Sequence, residues 1–158
     1  MDKVALWKQI KLKSSMLCVG LDSDESKMPE FYKLTTHPQI EFNKAIINAT
    51  KDIAVAYKLN TAFYETRGAR GWDAMEETLL DIPDHCLKIA DAKRGDIGNT
   101  STMYAKAFFE QLKFDAITVA PYMGIDSVKP FLEFSGKWII ILAVTSNEGS
   151  KNFQFLEM

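Results

Sequence analysis

The residues of this chain best equipped for chemistry fall in the run Asp91-Ala92-Lys93-Arg94-Gly95-Asp96. Asp91 and Lys93 stand two apart at the end of an apolar stretch over residues 86–92, which reads as a strand. In a strand, side chains two apart share one face. Gly95 permits a tight departure from the strand, and Asp96 follows it. Three ionisable groups of alternating sign within six residues are costly to bury unless they are paired. Two readings are open on spacing alone. One is a solvated turn with an exposed ion pair. The other is a lysine held between carboxylates, equipped to transfer a proton and to stabilise negative charge.

A second polar cluster ends the apolar stretch over residues 53–59, where Tyr57-Lys58-Leu59-Asn60 follows Ala54-Val55-Ala56. Lys58 and Asn60 share a face by the same period of two. Consecutive parallel strands usually lie side by side, which sets Lys58 opposite Asp91 and Lys93. Each lysine then has an acidic neighbour. Asp22, closing the apolar run at residues 16–21, adds a fifth polar group at a strand end, as a turn or capping aspartate or as part of the site.

The elements that must position these groups alternate along the chain. Lys3–Lys13 carries apolar residues at Val4, Leu6, Trp7 and Ile10 and reads as a leading helix. Residues 16–21 are the first strand, and a charged loop with proline runs from 23 to 38. Ile40, Phe42, Ala45, Ile46 and Ala49 follow near helical period. Residues 53–59 are the second strand, and 72–80 a helix bounded by Gly71 and Pro83. Residues 86–92 form the third strand, 99–112 a helix, 115–120 the fourth strand and 126–134 a short helix. The near-continuous apolar run at 138–144 suits a fifth strand buried on both faces. Phe108, Phe109 and Trp138 read as core, and Arg67 and Arg70 as a solvated basic loop.

Five strands alternating with helices predict βα units and a parallel sheet. Polar residues just past several strand ends match the way a (β/α)₈ TIM barrel builds its active site. Such a barrel needs eight strands and about 250 residues. The chain is therefore either a barrel truncated after about five strands or a smaller open α/β sheet. Residues 1–158 are expected to form a single domain. No Gly-x-Gly-x-x-Gly follows the first strand, which disfavours a dinucleotide site.

Composition narrows the function further. A formal charge of −2 over 158 residues gives no basic footprint for nucleic acid, nor for an acidic membrane surface. No apolar run is long enough to span a bilayer. Residues 1–14 are charged throughout and lack a signal-peptide centre, so export is not expected and the cytoplasm is. Cys18 and Cys86 then read as buried free thiols in a reducing compartment. His37 and His85 have no triad or metal partners in sequence, and no Cys/His spacing suits zinc.

The run DAKRGDIGNT at 91–100 resembles the Asp-x-Lys-x-x-Asp signature of orotidine 5′-monophosphate decarboxylases. VGLD at 19–22 and YKLN at 57–60 are similar to that family's first and second strand ends, in the same order. LAVTSNEGS at 142–150 resembles its fifth strand end, with Ser146 at the position that meets the pyrimidine. The resemblance spans essentially the whole chain. It implies decarboxylation of orotidine 5′-monophosphate to uridine 5′-monophosphate without metal or cofactor. It assigns proton donation to Lys93 and places Asp91 against the substrate carboxylate. Lys58 and Asp91 hold the lysine, and Asp96 completes the network. Asp22 and Asn60 contact the ribose or its surroundings. The counterparts of Asp96 and Thr100 reach into a partner subunit, which implies a homodimer with shared sites. The family's phosphate-gripping loops would lie beyond Met158, so the chain is expected to be the N-terminal portion of a longer barrel. The competing enzyme is a magnesium-dependent sugar-phosphate aldolase or decarboxylase of the same superfamily, whose members resembling this pattern carry an acid where Lys58 stands. An inactive, associating half-barrel is the non-enzymatic alternative.

Overall fold

The computed structural model describes residues 1–156. Five strands, β1 (Leu17–Gly20), β2 (Ala54–Asn60), β3 (Leu87–Arg94), β4 (Ala116–Val119) and β5 (Trp138–Ile141), form one sheet in the order β1-β2-β3-β4-β5. Every neighbouring pair is parallel. Parallel strands in unreversed order need crossovers of one hand, so the connecting helices all lie on one face of the sheet. This is the winding of a (β/α)₈ barrel wall, five strands of it.

The helices are α1 (Lys3–Lys13), α2 (Glu30–Lys33), α3 (Pro38–Thr50), α4 (Ala62–Glu65), α5 (Ala69–Asp81), α6 (Gly98–Lys106) and α7 (Ile125–Leu132). Local chemistry sets their ends. Asp2 caps α1 by accepting from the Ala5 amide at 2.8 Å, and Ser14 closes it in the left-handed region. Pro38 opens α3, where a missing amide hydrogen costs nothing. α5 begins at Ala69, three residues earlier than the sequence suggests, and Gly71 sits in its first turn. A Cβ there would lie 1.7 Å from the Tyr64 carbonyl oxygen, so only glycine lets α5 pack so tightly on the preceding turn.

The helix expected over 99–112 is interrupted. After α6 the chain makes a π-helical turn at Ala107–Gln111, with the Leu112 amide bonded to the Ala107 carbonyl at 3.0 Å. The extra residue in that turn turns both Phe108 and Phe109 into the core. The core lies between sheet and helices. Tyr57 and Leu59 of β2, Ala90 and Ala92 of β3, and Ile117 and Val119 of β4 meet Ile47, Met75, Leu79, Phe108 and Phe131 there. The other sheet face carries the polar strand ends.

Two expectations fail at the sheet's edges. β5 is not buried on both faces: Ile140 and Ile141 are 41% and 49% exposed, and Trp138 is only half-buried. Cys18 is exposed rather than buried, while Cys86 is buried. In each case the strand has a neighbour on one side only, so its apolar character does not translate into burial.

Candidate active site

Strand register brings the charged residues together. Gly20 of β1 pairs with Lys58, and Asn60 of β2 pairs with Asp91. β2 alternates as expected, with Tyr57 and Leu59 buried among the helices and Lys58 and Asn60 half-buried on the opposite face. Lys58 Nζ bonds both oxygens of Asp22 at 3.1 Å and Asp91 Oδ2 at 3.4 Å. Lys93 Nζ reaches Asp91 Oδ1 at 2.6 Å. The order Asp22–Lys58–Asp91–Lys93 is thus a continuous chain of alternating charge across three strand ends.

The reason Lys93 faces Asp91 is not the simple period of two. Ala90 pairs with Ile117 and Arg94 with Val119, so three residues of β3 stand against one of β4. This bulge puts Lys93 at φ 47°, a left-handed conformation that side-chain-bearing residues seldom adopt. Gly95, just past it, runs so close to β4 that a Cβ would sit 2.5 Å from the Ala120 carbonyl oxygen. Arg94 anchors the bulge from behind. Its guanidinium pairs with Glu65, bonds the Ala92 carbonyl at 2.8 Å, and lies 5.4 Å from the ring centroids of Tyr104 and Phe108.

The electrostatics keep Asp91 ionised. Burial opposes its charged form, but hydrogen bonds from Lys93 and Thr118, with the charges of Lys93 and Lys58, outweigh that and hold its carboxyl below the usual carboxylate range. Lys93 is itself half exposed, its side chain 49% open, so its ammonium can meet a small molecule.

Asp22 is held by its neighbours. Leu21 accepts from the Tyr64 hydroxyl at 2.9 Å, and the Ser23 carbonyl accepts from Gln39 at 3.3 Å. The Ser23 hydroxyl donates to Asn43. Asn43 in turn donates to Tyr64 at 3.0 Å and Thr78 at 3.1 Å. Gln39, Asn43, Tyr64 and Thr78 are all fully buried. This network from α3, α4 and α5 fixes the backbone on both sides of Asp22, and the Asn60 amide donates to Asp22 Oδ1 at 3.1 Å.

The remaining expected site residues lie farther out. Asn60 Oδ1 accepts from the Ala62 amide at 3.2 Å, so it also starts α4. The Asp96 carboxylate accepts from the Ile97 amide at 2.7 Å, and among the described residues it bonds to neither lysine. Thr100 is half-buried on α6, and Ser146 is exposed after β5. Arg67, expected in a solvated loop, instead pairs with Glu25 at 2.8 Å and donates to Gln39 at 3.1 Å. Arg70 is exposed at the start of α5.

Sequence reasoning missed Thr118 and the network around Asn43. Thr118 Oγ1 donates to Asp91 Oδ1 at 3.1 Å and accepts from the Lys93 amide at 2.9 Å. A threonine inside a β-branched strand carries no signal of its own. Asn43 could have been suspected as an amide on the apolar side of a helix.

A family model described as "Orotidine 5'-phosphate decarboxylase / HUMPS family" matches residues 15–157. The chain is 56% identical over 161 residues to an orotidine 5′-phosphate decarboxylase of Bacteroides fragilis (strain YCH46), covering 99% of this chain and 58% of that protein. It is 58% identical over 154 residues to the enzyme of that name from Flavobacterium johnsoniae, covering 96% and 56%. The solved Leishmania donovani OMP decarboxylase superposes with a TM-score of 0.84 at 38% identity, over 97% of this chain and 59% of that one. Leishmania donovani UMP synthase does so with a TM-score of 0.88 at 39% identity, over 100% and 34%. The chain thus spans less than two thirds of the length of each of these relatives.

Proposed function

The chain belongs to the orotidine 5′-phosphate decarboxylase / HUMPS family, and from that premise we propose that it carries the charged centre of an orotidine 5′-monophosphate decarboxylase, a carboxy-lyase of pyrimidine biosynthesis. The observation that carries the reading is the Asp22–Lys58–Asp91–Lys93 chain, with contacts of 2.6–3.4 Å. The bond from the pyrimidine C6 to the carboxyl carbon breaks, and carbon dioxide leaves. The electron pair stays on C6, where the Lys93 ammonium stabilises it and then supplies the proton. Solvent returns a proton to Lys93.

Asp91 has two parts in this reaction. It orients Lys93, and its charge faces the substrate carboxylate. Two such carboxylates about 4 Å apart repel by roughly 4 kcal/mol at an effective dielectric near 20. The repulsion falls as neutral carbon dioxide forms, so part of it is relieved in the transition state. Lys58 stands between Asp22 and Asp91, and its charge helps to hold the Asp91 carboxyl below the usual carboxylate range. Its ammonium fills the space between two carboxylates that a divalent cation would need, which favours the decarboxylase over the magnesium-dependent branch of the superfamily.

The family resemblance assigns Asn60 and Asp22 to the ribose and Ser146 to the pyrimidine, with Asp96 and Thr100 serving a partner's site in a homodimer. The dimer reading is supported by exposed apolar side chains around Asp96 and Thr100: Ile97 and Met103 are 53% and 64% exposed, and Ile125 of α7, the helix packed on α6, is 73% exposed. No described helix is long and apolar enough to cross a membrane. Two free thiols fit the reducing cytoplasm in which this biosynthesis would run.

The test is loss of orotidine 5′-monophosphate absorbance with excess EDTA, for the protein as its gene encodes it and for Lys93→Ala. Turnover that survives EDTA and disappears with Lys93 supports the reading. Absent turnover, with magnesium-dependent activity on a pentulose or hexulose phosphate, overturns it.

A further inference from the structure

We propose that Thr118 is a positioning residue of this site, its one hydroxyl locking Asp91 and Lys93 into a single unit. The proposal deepens the decarboxylase reading and rests on it for the activity, though not for the hydrogen bonding. The bulge in β3 sets Asp91, Ala92 and Lys93 against Thr118 alone, since the flanking pairs are Ala90 with Ile117 and Arg94 with Val119. The ladder therefore offers the Lys93 amide no carbonyl. Thr118 Oγ1 accepts that amide at 2.9 Å, and its proton goes to Asp91 Oδ1 at 3.1 Å. The same Asp91 oxygen receives Lys93 Nζ at 2.6 Å.

The result is a closed ring of hydrogen bonds: Lys93 amide to Thr118 hydroxyl, hydroxyl to Asp91, and Lys93 ammonium back to Asp91. It spans both ends of Lys93, whose backbone is held at φ 47°. Such a conformation persists when its surroundings over-determine it. Thr118 is buried, 7% exposed, so water competes poorly for these bonds. Valine has the same shape and can make neither bond, whereas serine keeps both.

Asp91 is faced by Lys58 from β2, Lys93 from its own strand and Thr118 from β4, with Asp22, just past β1, beyond Lys58. Losing the hydroxyl removes a bond that favours the carboxylate, so the Asp91 carboxyl rises toward its ordinary range.

Thr118→Val, Thr118→Ala and Thr118→Ser are compared in the protein as its gene encodes it. The valine and alanine variants are expected to lower kcat by about 100-fold, the scale set by small displacements of a reacting group, with KM little changed. The acid limb of their rate profile moves to higher pH. The serine variant stays within about fivefold of the parent, because the hydroxyl and not the methyl does the positioning. Equal losses in serine and alanine, or a valine variant with the parent's kcat and pH profile, overturn the proposal. If the valine variant does not fold, the alanine–serine pair decides. If the parent does not turn over orotidine 5′-monophosphate, the function fails, and the positioning is judged by NMR titration of the Asp91 carboxyl. A higher titration point in Thr118→Ala than in Thr118→Ser supports it, and equal points sink it.

Discussion

Replacing Lys58 by methionine keeps an unbranched side chain, one atom shorter, and removes its charge, which tests what the ammonium does. Lys58 Nζ lies 3.1 Å from both Asp22 oxygens and 3.4 Å from Asp91 Oδ2. At about 3 Å and an effective dielectric near 20, each contact is worth about 5 kcal/mol gross. The three side chains are 31%, 34% and 14% exposed, so screening reduces this to on the order of 1–2 kcal/mol per pair. Without the ammonium, two carboxylates that touched one nitrogen stand about 6 Å apart and repel by roughly 3 kcal/mol before screening. Asp91 then shifts toward protonation or away from Asp22, and either change loosens Lys93. A loss of about 2 kcal/mol in the transition state is about 30-fold in kcat/KM. The assay is orotidine 5′-monophosphate turnover, with urea unfolding alongside. Adding Asp22→Asn to Lys58→Met removes the new repulsion, so the double variant unfolds at higher urea than Lys58→Met alone. A Lys58→Met enzyme with the parent's rate, or a double variant no more stable than the single, would refute the alternating-charge account.

Three further outcomes follow from the same geometry. Asn43→Ala removes three buried hydrogen bonds and leaves the Ser23 hydroxyl without its acceptor; it should cost about 3 kcal/mol in urea-derived stability, and an unchanged midpoint would contradict the clamp on residues 21–23. Gly95→Ala forces a Cβ to 2.5 Å from the Ala120 carbonyl, so about 1–3 kcal/mol of destabilisation is expected by the same measurement, where a neutral result would mean the turn relaxes freely. The depressed Asp91 carboxyl contributes stability that is complete above the unfolded value of about 3.9 and is lost as pH falls through the lower folded one. Urea midpoints taken from pH 6 down to about 2 should therefore fall less steeply for Asp91→Asn than for the parent, and parallel curves would show that Asp91 is not held ionised by folding.

How much of this is legible in the sequence depends on the range of each signal. Strand order and the meeting of Lys58 with Asp91 follow from local alternation and the habit of parallel neighbours; the sheet runs β1-β2-β3-β4-β5, and Lys58 Nζ reaches Asp91 Oδ2 at 3.4 Å. The Asp91–Lys93 contact is also expected from the sequence, but for a reason that does not hold. A two-residue period assumes regular strand, whereas β3 bulges and Lys93 turns left-handed. What brings the pair together is Thr118 on the next strand, and no window of sequence around 91–96 contains it. Burial was misjudged for the same class of reason. Cys18 and Ile141 look interior by composition, yet burial needs covering atoms, and β1 and β5 each have one neighbour. The π-helical turn at Ala107–Gln111 likewise answers a tertiary demand, that adjacent phenylalanines both enter the core, against a helical period that would bury one of them. Chemistry-bearing residues therefore announce themselves by type and position at strand ends, while the residues that aim them sit on other elements and look like ordinary packing. Thr118 and Asn43 are of that second kind. Their substitution separates a lysine that is merely present from one that is held where it can deliver a proton.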